Sequence, residues 1–380
     1  MPPKLAVVGM SGRALARSAV KSGERVVVLD AFGDRDSRSI AEVVCIAADD
    51  RLAIDAERLR AALAGEAREA ALGIVIGSGL EHAPELAASL AAYGRLYAND
   101  AGLIAALKDP ELGPALLRAT GWSVPTTQRA APIDRRGWLQ KEAGGAGGEH
   151  IRRAGRAPAG PRTYFQRETG GAPRSVTVLA DGERAHLIGF NRLLVAAVGA
   201  APYCYAGAIA DVELPPASRA QAQSRLDRLV RVTGLRGLAG VDFLLDGDAM
   251  IALEVNPRPT ASFELYDDDF AEGLVHWHRL SFERPVPEFG ERLGRRARAH
   301  RALGVVYADR PLRIGADAAF PAWCRDLPRA GRAIPAGAPV LSVCATGADS
   351  GAAARAVEAR ARAVRALLAR WAVADWRAVA

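Results

Sequence analysis

Two short apolar runs separated by an Asp-Gly turn constrain the fold of this chain more than any other feature. The runs cover residues 241–245 and 249–255. Branched and aromatic side chains around an Asp-Gly turn predict a β-hairpin. Side chains alternate between the two faces of a strand, so Asp242 lies on one strand while Glu254 and Asn256 share a face of the other. The pattern therefore predicts that two carboxylates and an amide converge.

These three oxygen-bearing side chains indicate a cation site. Carboxylates beside buried apolar residues are costly unless a cation or hydrogen bonds satisfy them. An all-oxygen set with few protein ligands suits Mg²⁺, which completes its octahedron with water and phosphate oxygens. Arg258 follows between Pro257 and Pro259, where its planar guanidinium can meet a phosphate or a carboxylate. The alternative is an ordinary hairpin with an exposed carboxylate and a proline-rich exit.

Length and composition exclude several classes of protein. At 380 residues the chain is long enough for two or three domains. It has no uncharged run longer than 18 residues, which argues against a transmembrane helix, and its start lacks the regions of a signal peptide. The four cysteines are far apart and form no CxxC pair, which supports neither a zinc site nor a disulfide framework. We expect a cytoplasmic protein without a membrane partner.

The positive charge of the chain does not indicate nucleic acid. The net charge is +7, but the basic residues are scattered singly among acids. Almost all of them are arginines, and lysine occurs only at positions 4, 21, 108 and 141. A chain that prefers arginine so strongly is expected to keep lysine where a compact ammonium is needed, although Lys4 and Lys21 have the pattern of ordinary surface positions.

The amino-terminal region predicts a β-α-β unit with a glycine-rich first turn. Residues 4–9 form a strand, 13–22 a helix and 25–30 a second strand. A dinucleotide site is one interpretation, with Asp30 on the ribose, but the turn reads GxxG instead of GxGxxG. A further strand at 73–76 runs into a second glycine turn followed by Glu81, which is either a ligand loop or a tight turn.

A lysine followed by glycines forms the second informative stretch. Within residues 138–151 we expect a strand that carries Lys141 and leads into the loop 144–148, which contains four glycines. Glycines let backbone amides approach phosphate closely, and a mobile loop can close over a nucleotide. No GK[ST] follows, so this is not a Walker loop, and a flexible hairpin tip is the alternative. Lys108 lies at the break between two helices within 99–121, where Pro110 ends the first helix.

The remaining segments predict mixed structure. We expect strands within 163–190, helices at 217–233 and 270–280, a charged connector at 282–300, and a small packing domain from 301 with a strand at 303–308 and an amphipathic helix at 351–371.

Together, the lysine strand with its glycine loop, QRETGG leading to SVTVLADG, and VDF…LEVNPRP resemble the ATP-grasp superfamily. The segments GFNR, YAG and NPRPTASFE are similar to its carboxylate-amine ligase branch. The resemblance covers most of the chain and implies an α/β (α+β) fold. It places a Rossmann-like domain at 1–100, an ATP-grasp domain at 101–300 with a mobile lid at about 125–185, and a small carboxyl-terminal domain at 301–380.

The resemblance also implies roles for individual residues. Lys108 and Lys141 match the basic residues that hold ATP phosphates, and Arg258 matches a residue near the reacting phosphate and acyl group, so Lys141 and Arg258 are the candidate catalytic residues. Gly144, Gly145, Gly147 and Gly148 match the lid loop, and Gln166, Arg167, Glu168 and Thr169 match the adenine hinge, with Glu168 as a candidate ribose contact. Asp242, Glu254 and Asn256 match the ligands of Mg²⁺ (with Mn²⁺ as an alternative ion). Arg192 and Tyr205 are candidate substrate contacts, with a surface pair and core packing as the alternatives.

The implied activity is ATP- and Mg²⁺-dependent amide formation from a small-molecule carboxylate and an amine, through an acylphosphate, with release of ADP and phosphate. Related enzymes attach glutamate in the biosynthesis of one-carbon cofactors of the methanofuran or pterin type. One alternative is an NAD(P)-dependent oxidoreductase using the amino-terminal unit, although no catalytic His or Lys constellation accompanies it. The other is a nucleotide-binding protein without turnover. A homodimer stays an open alternative for the assembly.

Overall fold

The computed structural model describes residues 3–47, 54–155, 160–296 and 299–373. Its amino-terminal part alternates strand and helix: β1 (Lys4–Gly9), α1 (Arg13–Val20), β2 (Arg25–Asp30), α2 (Arg35–Ile40), β3 (Glu42–Cys45), α3 (Ala56–Glu69), β4 (Leu72–Ile76), α4 (Pro84–Ser89) and β5 (Arg95–Tyr97). The strands are parallel in the order β3-β2-β1-β4-β5. Alternate side chains of β1 enter two different apolar clusters, so both faces of this sheet are covered.

A helical pair and a small antiparallel sheet follow. The elements are α5 (Ala101–Lys108), α6 (Leu112–Ala119), β6 (Thr127–Gln128), β7 (Trp138–Glu142), β8 (Arg152–Arg153) and β9 (Thr163–Arg167). The strands pair in the order β6-β9-β7-β8. The predicted break between two helices is confirmed, since Lys108 is the last residue of α5. We call the segment from β6 to β9 the lid.

The central part is a large antiparallel sheet with a helix on one face. Its elements are β10 (Ala172–Asp181), β11 (Ala185–Val198), β12 (Ala201–Ile209), α7 (Pro216–Thr233), β13 (Arg236–Asp246) and β14 (Ala249–Asn256). Val176, Phe243 and Leu226 belong to the apolar cluster under α7. The opposite face contributes Leu179 and Leu238 to the cluster that also contains α1 residues, so it faces the amino-terminal part.

The last part adds helices and continues the large sheet. Its elements are α8 (Glu264–Asp267), α9 (Leu274–Ser281), α10 (Pro287–Gly294), β15 (His300–Tyr307), β16 (Leu312–Arg313), β17 (Cys324–Arg325), β18 (Ala333–Ile334), β19 (Pro339–Gly347) and α11 (Ser350–Leu368). The large sheet runs β14-β13-β10-β11-β12-β15-β19-β17, and β16 pairs with β18. No helix within the described ranges is long and apolar enough to cross a membrane.

One sequence expectation differs from the structure in this last part. The segment 282–300 was expected to be a connector, but it contains α10, whose Phe289 is buried against α9. The strands after residue 300 continue the large sheet, since β15 pairs with β12 through Gly207 and Gly304. A Cβ at Gly207 would overlap the carbonyl oxygen of Leu303, so the glycine permits this close pairing. The domain boundary near 301 stays a prediction.

Candidate active site

The predicted hairpin of β13 and β14 is present and brings its polar residues together. Asp242 pairs with Glu254 across the antiparallel strands, and Gly240 pairs with Asn256. Directly opposed residues share a face of the sheet, so the two carboxylates are neighbours. Asn256 donates its Nδ2 hydrogen to Asp242 Oδ2 at 3.2 Å. The hairpin therefore presents carboxylate and amide oxygens on one side.

Lys108 supplies a cation to this oxygen cluster. Its Nζ donates to Glu254 Oε2 at 2.8 Å and to Asn256 Oδ1 at 2.7 Å. Burial and the charge of Glu254 raise the pKa of Asp242 above its ordinary value. Burial also acts to raise the pKa of Glu254, but Lys108 outweighs it and the net pKa is lowered. The cluster thus requires positive charge, and the lysine predicted to hold phosphates provides it in this structure.

The donor set fits a single hard divalent cation. Asp242, Glu254 and Asn256 offer oxygen atoms, and two of them converge on the ammonium of Lys108. Within the described ranges, no three His, Cys, Asp or Glu side chains are grouped as metal ligands. Mg²⁺ needs few protein ligands because it keeps water and phosphate oxygens, so two carboxylates and an amide suffice.

Lys141 and Gln166 form a second buried pair beside the hairpin. Lys141 on β7 is 7% exposed and donates from Nζ to Gln166 Oε1 at 2.7 Å. Burial lowers the pKa of Lys141, and Glu254 and Asp242 oppose this shift. The ammonium is therefore held by a neutral partner near two acids, in a place where an anionic ligand would be favourable.

The backbone amides of two predicted hinge residues, Arg167 and Glu168, form hydrogen bonds within the lid. The backbone N–H of Arg167 donates to Thr126 O at 2.8 Å, and that of Glu168 donates to Gly137 O at 2.9 Å. These amides hold β9 within the lid and are not free for an adenine in this structure. The Arg167 side chain is exposed and lies over the ring of Trp138, and the Thr169 hydroxyl bonds to Arg167 O. Only Gln166 brings its side chain to the site.

The lid loop is packed against β12. The carbonyl of Gly147 accepts the N–H of Tyr205 at 2.8 Å, and a Cβ at Gly148 would overlap the carbonyl oxygen of Tyr203. Tyr203 also donates its hydroxyl to Glu168, which the sequence predicted as a ribose contact. Gly148 has a φ of +78°, so it needs glycine for its conformation as well as for space. These contacts hold the loop over the site.

Arg258 is held by Glu81, a residue that the sequence motif left without a definite role. Arg258 Nε donates to Glu81, whose other oxygen accepts the N–H of Gly79 at 2.7 Å. The side chain of Glu81 is 6% exposed. Burial acts to raise its pKa, but Arg258 and Lys108 outweigh it, so the net pKa is lowered. A Cβ at Gly144 would lie 2.7 Å from His82 Cα, so the lid loop also reaches this turn.

The two predicted substrate contacts have different positions. The Tyr205 hydroxyl is buried without a hydrogen-bond partner among the described residues, and burial and the charge of Asp242 raise its pKa. Asn191 is the residue before Arg192. Asn191 pairs with Ser175, and Ser175 pairs with Asp242, so these three residues share one face of the sheet. Adjacent strand residues point to opposite faces, so Arg192 points away from the carboxylates. The structure brings Tyr205 near the site and does not bring Arg192 there.

A sequence comparison assigns the segment that builds this site. Residues 114–262 match a family model described as the ATP-grasp domain. The chain contains an ATP-grasp domain. This match covers the lid, the glycine loop and the hairpin, and it confirms the predicted resemblance and the predicted enzyme class, an ATP-dependent ligase. No protein of curated function matches the chain in sequence.

Solved structures share the fold of the whole chain, including the ATP-grasp domain. A biotin carboxylase from Campylobacter jejuni, described as a β,γ-ATP complex, has a TM-score of 0.70 at 13% identity and covers 92% of this chain and 89% of its own. An N5-carboxyaminoimidazole ribonucleotide synthetase from Thermus thermophilus has a TM-score of 0.66 at 15% identity, covering 94% and 97%. The biotin carboxylase domain of a Hydrogenobacter thermophilus 2-oxoglutarate carboxylase, solved with MgADP and bicarbonate, has a TM-score of 0.68 at 16% identity, covering 90% and 86%. The predicted α/β fold class is confirmed.

The amino-terminal turn, which suggested a dinucleotide, is filled by the protein itself. Asp30 accepts the N–H of Gly12 at 3.0 Å and that of Gly33 at 2.7 Å. A Cβ at Gly12 would lie 2.5 Å from Val28, so the glycine serves close packing. The amide at the start of α1 is therefore engaged by a buried carboxylate, which would also repel a phosphate.

Proposed function

We propose that this ATP-grasp protein joins a carboxylate to an amine with Mg²⁺ and ATP. The observation that carries the proposal is the ammonium of Lys108 bridging Glu254 and Asn256 beside Asp242. A half-buried oxygen cluster that needs a cation lies next to Lys141 and Arg258, which can receive anions. Both kinds of charge are required to bring a phosphate chain and a carboxylate together.

In the first step a substrate carboxylate oxygen attacks the γ-phosphorus of ATP. An O–P bond forms, the bond to the β-phosphate oxygen breaks, and ADP leaves. Asp242, Glu254 and Asn256 would hold Mg²⁺, which supplies Lewis-acid neutralisation of phosphate charge when bound. Lys141, Arg258 and the amides of the glycine loop would stabilise the charge that moves between the oxygens, and Lys108 would turn from Glu254 towards the phosphates.

In the second step the amine attacks the carbonyl carbon of the acylphosphate. A C–N bond forms, the C–O bond to phosphate breaks, phosphate leaves with the electron pair, and the amine proton passes to phosphate or solvent. The acylphosphate must be kept from water until the amine arrives. The contacts of the glycine loop with Tyr203 and Tyr205 support this closure.

The lid must open to admit ATP. The cavity between Lys108, Gly145, Gln166 and Glu254 has about 30 Å³ of room for water-sized groups. That is space for one or two water molecules, so a nucleotide enters only when the loop leaves β12. Lid motion of this kind occurs in microseconds to milliseconds and can limit turnover.

The finer identity of the substrates rests on the family resemblance. We infer a small carboxylate that contacts Arg258 and Tyr205, with glutamate ligation in one-carbon cofactor biosynthesis as the specific candidate. The buried, unpartnered hydroxyl of Tyr205 supports a polar contact at this position. A cytoplasmic location and a homodimer stay predictions.

Ligand binding separates this proposal from the oxidoreductase. Purified protein is expected to gain several degrees in thermal-unfolding midpoint with Mg²⁺ and ATP at about 100 times Kd, because binding to the folded state stabilises it by about 2.7 kcal/mol. NAD(H) and NADP(H) are expected to give no shift. A shift with the dinucleotides and none with ATP would overturn the ligase proposal.

Turnover is then tested by ADP release over paired carboxylates and amines, with mass spectrometry of the products. We expect ADP and phosphate in equal amounts with one amide product. Including glutamate with aromatic amines and with pterin-type acceptors tests the specific candidate. Binding of Mg·ATP without ADP release for any pair would favour a nucleotide-binding protein without turnover.

A further inference from the structure

His150 lies in the nucleotide cavity but has no role in the scheme above. It follows the glycine loop and lines the same cavity as Lys108, Gln166 and Glu254. Its Nδ1 is buried without a hydrogen-bond partner among the described residues. A buried polar atom without a partner is costly, so its presence calls for an explanation.

The loop is shaped around this imidazole. A Cβ at Gly145 would overlap the His150 ring, so the ring packs directly on the glycine backbone. His150 therefore moves with the loop when the lid opens, and it returns to the cavity when the lid closes. The glycine at 145 serves the imidazole as well as the backbone amides.

Electrostatics place His150 in a group of nitrogen donors around Glu254. Burial lowers the pKa of His150 and Lys141 adds to this shift, while Glu254 and a backbone hydrogen bond of the imidazole with Ala146 oppose it. Lys108, Lys141 and His150 each act in turn to lower the pKa of Glu254. The three nitrogen groups come from α5, β7 and the lid loop, so they surround one carboxylate from three elements.

We propose that His150 is a third nitrogen donor to the nucleotide phosphates, beside Lys108 and Lys141. This inference rests on the proposed ATP site. Its imidazole N–H would bond to an oxygen of the β- or γ-phosphate, and the phosphate would supply the partner that Nδ1 lacks. Because the donor travels on the lid, the bond forms only in the closed state and so links closure to the presence of the terminal phosphates.

The test measures affinity for ATP, ADP and AMP with Mg²⁺ by isothermal titration calorimetry on the full chain. His150→Ala is expected to weaken ATP binding about 10-fold, since a hydrogen bond to a charged group contributes about 1.5–3 kcal/mol. Binding of AMP, which lacks the terminal phosphates, is expected to stay within about twofold. His150→Asn retains an N–H donor near Nδ1 and is expected to recover most of the ATP affinity.

Glu149→Ala is the matched control, because Glu149 is the exposed neighbour in the same loop, and its affinities are expected to equal those of the wild type. Equal ATP affinity of His150→Ala and wild type would overturn the role of His150 and leave the ligase proposal intact. A uniform loss for ATP, ADP and AMP would also overturn it, because that result indicates a general effect on the loop. No ATP binding by the wild type would overturn the proposed function itself.

Discussion

Replacing Arg13 by methionine is expected to lower the free energy of unfolding by about 3–5 kcal/mol. Arg13 on α1 is 2% exposed. Its Nη1 and Nη2 donate to the two carboxylate oxygens of Glu264 at 2.6 and 2.5 Å, and its Nε donates to Asp326 at 2.7 Å. Methionine fills similar space but removes the guanidinium from two largely buried carboxylates, Glu264 and Asp326, which is the costly way to break an ion cluster.

The same arginine connects three parts of the chain. Arg13 belongs to the amino-terminal sheet region, Glu264 to α8 just after the hairpin of β13 and β14, and Asp326 to the segment after β17. Asp326 has a φ of +56°, a conformation that costs energy for a residue with a side chain. Its backbone N–H is held by Asp36 at 2.8 Å. We therefore expect the variant to lose order at all three parts together.

Arg17→Met is the matched control for this substitution. Arg17 lies one turn further along α1, where it pairs with Asp268 at 2.8 Å with a partly exposed side chain. Exposed ion pairs contribute about 0.2–1 kcal/mol, so this variant is expected to unfold close to the wild type. The measurement is urea-induced unfolding followed by tryptophan fluorescence and circular dichroism. Equal unfolding midpoints for Arg13→Met and Arg17→Met would refute the role given to the buried cluster.

Local patterns in the sequence predict the parts of the site that lie within one element. The alternation around the Asp-Gly turn places Asp242 opposite Glu254, and the register of β13 and β14 confirms it. The strand before the glycine loop is likewise confirmed as β7, with Lys141 buried on it. In both cases the signal is the two-residue period of a strand beside a turn, which needs no information about distant residues.

Contacts between distant segments could not be predicted in this way. Arg258 and Glu81 are 177 residues apart, and Arg13 and Glu264 are 251 apart. Each residue has an ordinary polar pattern locally, and only the packing of the two regions makes the pair. The glycine turn before Glu81 was the available signal, because ligands gather at the carboxyl ends of parallel strands.

The expectation for Arg192 shows a different difficulty. It is a candidate substrate contact, but the direction of its side chain depends on which of two adjacent strand residues faces the site. Asn191 pairs with Ser175 at the level of Asp242, which turns Arg192 to the other face, opposite Arg174. Deciding between the two neighbours requires the register of β10 and β11, which includes a bulge after Thr177.

Replacing Asp242 by asparagine is expected to stabilise the free protein and abolish Mg²⁺-dependent turnover. Asp242 is half-buried beside Glu254, and desolvation and the charge of Glu254 both raise its pKa. At alkaline pH its charge therefore costs stability, and asparagine removes the charge while keeping an oxygen for the Asn256 N–H. We expect a gain of about 1–3 kcal/mol at pH 8. The loss of a metal-ligand carboxylate is expected to reduce kcat by at least about 100-fold.

The raised pKa of Asp242 determines how the stability difference between the two proteins changes with pH. A carboxyl group with a raised pKa binds its proton more readily in the folded state than in the unfolded state. The wild type therefore loses stability as pH rises from the ordinary pKa of an aspartate to the raised one. The asparagine variant has no such loss, so its advantage is expected to be greatest above the raised pKa and to shrink as the pH falls towards 4. Urea unfolding of both proteins at pH 5 and pH 8 measures the difference.

Asp246→Asn on the turn of the same hairpin is the control, because the chemical change is identical and the side chain is exposed. Its stability is expected to stay within about 0.5 kcal/mol of the wild type at both pH values.

A variant Asp242→Asn that is less stable than the wild type at pH 8 would mean that the carboxylate is a net stabilising partner of Lys108. A variant that keeps full Mg²⁺-dependent turnover would remove Asp242 from the metal site and leave Glu254 and Asn256 as its candidates. Stability gained together with turnover lost is the combination that a functional cation site, built at the expense of folding, should give.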